Sequence, residues 1–291
     1  MASAPVPTGV RSGSNMLARI CDADALRSAW RRVWTNRGGP GGDGITVEVF
    51  AGRLEKELVS LRGEIKAGTY RPGPLRRVPI AKPNGGTRML AIPCVRDRVA
   101  QGATVFALQP GLERRQSATS FAYRPMRGVA DALTAARRAH AAGLVWTLEA
   151  DIVQYFDSIP HRRLLADLAI WIEAEDVLRL IACWLDGFAS SGRGIAQGAP
   201  ISPLLANLYL HPLDRLLVAA GHVPIRYADD FIVLAAARRG VEQAHRIAEG
   251  VLRERGLDLK AAKTQIIPPG MPFQFLGETL RAGDLPRVHL L

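Results

Sequence analysis

The chain has 291 residues, 48% of them hydrophobic and 22% charged, and Lys+Arg 38 against Asp+Glu 27 leaves a net charge of +11. That balance excludes a disordered polymer and favours an acidic partner such as nucleic acid. Three scattered cysteines, Cys21, Cys94 and Cys183, form no CxxC pair and exclude a disulfide scaffold or a zinc finger.

In chain order, residues 1–15 are small, polar and rich in Pro and Gly, and are expected to be disordered. They lack the apolar stretch of a signal peptide, and the longest purely apolar run, 231–237, is too short to span a bilayer, so a cytoplasmic protein is expected. Leu26, Trp30, Val33 and Trp34 share a face in a helix over 23–36. A loop over 38–44 leads to a second helix or pair over 46–67, ended by Gly68 and the Pro-rich 71–74. Two β-prone runs, 77–82 and 87–92, flank Pro83-Asn84-Gly85-Gly86 and predict a hairpin. Helices follow over 96–108 and 128–142, a buried strand over 145–152, and one or two helices over 161–185. Ser202 as N-cap, Pro203 and an apolar stripe predict a helix over 202–217. Short strands over 225–227 and 231–235 bracket Ala228-Asp229-Asp230; a helix over 241–255 stops at Gly256, and 273–276 with 278–281 suggest a last strand pair. Mixed helices and hairpins without regular βαβ alternation predict an α+β fold.

The acidic residues carry the chemistry. Asp229 and Asp230 sit between two apolar β runs, and Asp151 ends another. Like charges beside a core are costly unless a cation neutralises them, and hard carboxylate oxygens suit Mg²⁺. Two such ions clamp the attacking and leaving oxygens of an in-line phosphoryl transfer. An ordinary solvated Asp-Asp turn is the plainer alternative.

Tyr227-Ala228-Asp229-Asp230 resembles the catalytic signature of reverse transcriptases, and the stretch from Asp151 to His161 resembles that family's first catalytic motif. The segments 197–210, 256–264, 275–277, and 78–93 running on to Gln101 resemble further motifs, in family order over about residues 35–280. Together these blocks resemble bacterial group II intron-like enzymes. Within them, 120–125 and Leu213-Asp214 resemble the CRISPR-associated branch, with its antiviral-defence setting.

The resemblance implies an RNA-directed DNA polymerase of right-hand form, fingers and palm, with an antiparallel palm sheet backed by helices. It divides the chain into an N-terminal extension (1–36), mainly fingers (37–143), mainly palm (144–281) and a short tail (282–291) where the family's thumb would follow. It implies two Mg²⁺ ions, with Mn²⁺ as a substitute, held by Asp151, Ile152 and Asp229 with Asp230 in support. Lys263 matches a lysine that protonates the leaving pyrophosphate. Phe156 matches the gate beneath the sugar, selecting deoxynucleotides; its plainer role is a core aromatic. Gln197 and Gly198 match template and nucleotide contacts, and Lys82 and Arg88 match cations that grip the triphosphate. Asp157 is expected to cap the helix near Pro160 rather than bind metal. Residues 53–98 hold 11 Lys/Arg against 4 Asp/Glu, the concentration of positive charge that a grip on phosphates needs.

The implied partners are an RNA template, a DNA primer and product, dNTPs, and a protein that supplies the thumb or an integrase, with no membrane. Ala196 stands where the family has Pro, which loosens that loop. A nucleic-acid-binding accessory subunit of a splicing or spacer-integration complex stays open as an alternative, and Gly41-Gly42-Asp43-Gly44 leaves a nucleotide cyclase as a remoter one.

Overall fold

The computed structural model describes residues 16–81 and 85–282; the expectations for 1–15, for Lys82 and for the tail from 283 lie outside them. The chain forms two compact units, one from residues up to Arg115 plus Ile159–Leu205, the other from Gln116–Ser158 plus residues from Ala206 onward. Among the described residues no helix is long and apolar enough to cross a membrane.

The first unit is mainly helical. It holds α1 (Met16–Ile20), α2 (Ala23–Asn36), α3 (Val47–Ala51), α4 (Leu54–Ala67), α5 (Val95–Glu113), α8 (His161–Trp171) and α9 (Glu175–Phe188). Asp22 starts α2 by accepting from the Asp24 and Ala25 amides, and Gly68 ends α4 at φ 69°. The expected hairpin is present as β1 (Arg76–Ala81) and β2 (Thr87–Ile92), paired antiparallel from Arg76–Ile92 to Ala81–Thr87. α8 starts after Pro160 with no side-chain cap: Asp157 is exposed within the short helix over 155–158 that precedes it and does not serve as the expected cap.

The second unit is built on a four-stranded antiparallel sheet in the order β4-β5-β3-β6, namely β3 (Trp146–Ala150), β4 (Val223–Tyr227), β5 (Asp230–Ala235) and β6 (Gln265–Ile267). α6 (Val129–Ala141) and α11 (Arg238–Glu254) pack on it. Ile225, Ile232, Leu234 and Ile267 join Leu133 and Ala136 of α6, and Phe273, Phe275 and Leu280 of the last hairpin (β7, Phe273–Phe275; β8, Glu278–Leu280), in one apolar cluster. Burying these side chains contributes about 1.5–3 kcal/mol each for the larger ones. The four-residue helix α7 (Tyr155–Ser158) follows β3 closely.

The helix α10 (Ser202–Ala219) begins in the first unit and continues into the second. Ser202 is its first residue and its buried hydroxyl has no hydrogen-bond partner, so it does not act as the expected cap.

Candidate active site

β3 and the β4–β5 hairpin bring the acids to one end of the sheet. β3 pairs with β5 from Trp146–Ala235 to Ala150–Phe231, so Asp151, the residue after β3, comes level with the start of β5. β4 and β5 pair up to Tyr227–Asp230, leaving Ala228 and Asp229 as the turn itself. Ala228 is buried and adopts φ 60°, the left-handed region that residues with a Cβ seldom enter.

Burial raises the pKa of the Asp229 carboxyl, and the neighbouring charge of Asp151 raises it further. The same two causes, burial first, push Asp230 up to about 7. Lys263 answers this charge most directly: its Nζ lies 2.9 Å from Asp151 Oδ2. The hydrogen bond to Asp151 holds the Lys263 ammonium above the ordinary lysine range.

Backbone pairing delivers that lysine. The Lys260 amide donates to the Asp151 carbonyl at 2.8 Å, the Val153 amide to the Asp258 carbonyl at 2.9 Å, and Ile152 bridges Leu259. The 3₁₀ turn Ala261–Lys263 then carries Lys263 back to Asp151. Asp151, Asp229, Asp230 and Lys263 are thus brought together, with Ile152 buried beside them. Phe156 stands half-buried in α7, its ring edge-on to Tyr155 at 5.8 Å, and the Tyr155 hydroxyl donates to the Ala206 carbonyl at 2.6 Å.

The remaining sequence-predicted residues lie in the first unit. The Ala91 amide of β2 donates to the Gln197 carbonyl at 2.7 Å. Gly198 follows at φ 119°, and a Cβ there would come within 3.1 Å of the Ala91 carbonyl oxygen, so this close approach requires glycine. Arg88 is exposed on β2 opposite Ile80.

The chemistry of the donor set suits magnesium. Mg²⁺ is commonly held by one or two carboxylates, with waters and substrate phosphates completing its shell. Among the described residues no group of three or more His, Cys, Asp and Glu is placed to hold a metal ion by itself. One or two carboxylates suffice for an ion whose shell a phosphate substrate and waters complete.

Sequence reasoning passed over Arg226, which lies fully buried under the turn. The signal was there: a single arginine inside the apolar run Val223-Pro-Ile-Arg-Tyr has to be either at an edge or paired.

The profile of the family described as reverse transcriptase (RNA-dependent DNA polymerase) matches residues 80–280. Protein YkfC of Escherichia coli (strain K12) is 30% identical over 318 residues, covering 91% of this chain and 82% of YkfC. The group II intron-encoded protein LtrA of Lactococcus lactis subsp. cremoris is 32% identical over 203 residues, covering 67% of this chain but 34% of LtrA. In fold, a chain of Candida albicans telomerase in complex with a telomeric RNA fragment aligns over 80% of this chain and 50% of its own, with a TM-score of 0.57 at 13% identity.

Proposed function

This chain belongs to the reverse transcriptase (RNA-dependent DNA polymerase) family, and on that premise we propose that it extends a DNA primer along an RNA template by adding dNTPs at the end of β3 and the β4–β5 turn. The observation that carries the site assignment is the convergence there of Asp151, Asp229 and Asp230 with Lys263, which is ion-paired to Asp151.

Asp151 and Asp229 are the residues that would hold two Mg²⁺ ions, with the Ile152 backbone and Asp230 completing the protein's share. Bound there, the ions supply charge neutralisation for an in-line phosphoryl transfer and lower the barrier to ionising the primer hydroxyl. Lys263, whose ammonium is half exposed, gives its proton to the departing pyrophosphate; in the free protein Asp151 orients it. The Phe156 ring excludes a 2′-hydroxyl by contact, which favours deoxynucleotides. Lys82 as a point charge and Arg88 through its guanidinium fork hold the triphosphate, and the Gln197–Gly198 backbone approaches template and nucleotide.

We read residues 37–143, with the β1–β2 hairpin, as mainly fingers and residues 144–281, with the four-stranded sheet, as mainly palm. A place in the CRISPR-associated branch, with an integrase as protein partner, is carried by 120–125 and Leu213-Asp214 alone. A binding-only accessory role is the less favoured reading, because an accessory has no use for a cluster of repelling carboxylates beside a lysine. The test is single-nucleotide incorporation on a primer annealed to RNA, with Mg²⁺ and with EDTA: extension with the metal alone supports the reading, and no extension under either condition contradicts it.

A further inference from the structure

A buried polar cluster lies directly under the catalytic turn. Arg226 on β4 is 1% exposed, as is Asp214 on α10. Burying a guanidinium is costly unless its N–H groups are met, and here they are met from several elements. Nε and Nη2 donate to the two carboxylate oxygens of Asp214 at 2.7 and 2.6 Å. Nη2 also donates to Ser120 Oγ at 2.9 Å, and Nη1 donates to Asn207 Oδ1 at 3.2 Å. The remaining bond runs to the turn itself: Nη1 donates to the Ala228 carbonyl at 3.0 Å.

Asn207 and Asp214 are seven residues apart, two turns of α10, and so share the face toward β4. The Arg226 backbone is held as well. Its amide donates to the Thr119 carbonyl and its carbonyl accepts from the Phe121 amide, both at 2.9 Å. Asn207 Nδ2 donates to the Ala122 carbonyl at 2.6 Å, so the segment 119–122 and the catalytic hairpin share one set of anchors.

A left-handed alanine is strained and persists only where its surroundings over-determine it. Ala228 is that residue, and the peptide that follows it carries Asp229. We infer that Arg226 is a positioning residue for polymerisation: locked by Asp214 and Asn207, its guanidinium holds the Ala228 carbonyl, fixes the left-handed turn, and so sets where the Asp229 and Asp230 carboxylates stand. This inference rests on the proposed polymerase reading. A pair that only filled the core would be replaceable, since buried ion pairs exchanged for apolar residues of similar volume often keep or gain stability. No apolar side chain replaces the bond to Ala228.

The decisive variant is therefore the double substitution Asp214→Leu with Arg226→Met in the full chain, alongside Arg226→Lys, whose single ammonium cannot reach every partner of the guanidinium. Three readings are taken: thermal unfolding, kcat and KM for dNTP on an RNA template, and Mn²⁺ affinity by electron paramagnetic resonance without substrate. The expected result is cooperative unfolding in at least Arg226→Lys, kcat lower by about 100-fold with KM little changed, and weaker Mn²⁺ binding; a misplacement near 1 Å carries a loss of that size. An unchanged kcat or an unchanged Mn²⁺ affinity in a folded variant overturns the inference. A wild-type chain that extends no primer would sink the polymerase reading separately, and the Mn²⁺ titration would still decide the role of Arg226.

Discussion

Aspartates whose carboxyl pKa is raised by desolvation occur in both units, and their surroundings differ in kind. Asp97 on α5 is 2% exposed and is met by the fold's own donors: the Tyr70 hydroxyl at 2.5 Å and the Gly73 amide at 2.9 Å, with Trp184 Nε1 donating to Tyr70 at 3.0 Å. Burial pushes its pKa to about 6, and those hydrogen bonds hold it from rising further. Asp229 and Asp230 are also raised by burial, but their neighbour Asp151 adds to the rise, and Lys263 is the cation opposing it most in both. An acid whose lone pairs are taken by the fold is a structural part. An acid crowded by other acids is poised for a cation from outside, and partners decide which role an aspartate takes.

The comparison is sharpened by four changes, taken from the largest effect down. Removing divalent metal with EDTA should abolish nucleotide addition and leave circular dichroism unchanged; incorporation that survives chelation would place the chemistry elsewhere. Lys263→Met should lower kcat by about 10²–10⁴-fold, the range of a lost general acid, and should flatten the alkaline limb of the pH–rate profile. Phe156→Ala should raise relative use of ribonucleotides by about 10- to 200-fold, the discrimination a shaped pocket supplies; competition between dGTP and GTP reads this, and unaltered selectivity returns Phe156 to a packing role.

The smallest change contrasts the two regions by stability. Asp97→Asn should cost about 1–3 kcal/mol in urea unfolding at pH 4, where folded Asp97 is protonated and no buried charge is relieved, because an amide cannot accept from both Tyr70 and Gly73 as the two carboxyl oxygens do. Asp230→Asn in metal-free protein should leave stability equal or higher, since it removes a repelled charge. The pH dependence follows from the same shifts. Asp97 titrates near 6 when folded against an ordinary value of 3.8, so the folded state binds the extra proton between them. Its contribution is fully present below about pH 4 and is lost as pH rises through 6. Wild type should therefore lose stability over that window, and Asp97→Asn should lose less.

Much of the architecture was legible in the sequence because it rests on local signals. The helix over 23–36 shows its apolar face, and the β1–β2 hairpin announces itself through Gly85 and Gly86, both at positive φ. Asp151, Asp229 and Lys263 were legible as motif residues, and the structure adds what joins them: the pairing of 151–153 with 258–260, between segments more than a hundred residues apart. β6 went unread because a three-residue strand shows no period. The expected caps at Asp157 and Ser202 failed because residue type permits a cap while only the backbone path decides it. Arg226 stands just before the motif and drew no role from the sequence, since its burial depends on Ser120, Asn207 and Asp214, none adjacent in sequence.

The central claim is that the repelling acids, rather than the satisfied ones, perform the chemistry. Single-nucleotide incorporation on an RNA template, measured in parallel for wild type, Asp229→Asn and Asp97→Asn below their melting temperatures, tests it most directly. The account predicts that Asp229→Asn loses about 1000-fold or more in rate while unfolding no earlier than wild type, and that Asp97→Asn keeps its rate while unfolding earlier. Incorporation retained by Asp229→Asn, or lost by a folded Asp97→Asn, would contradict it.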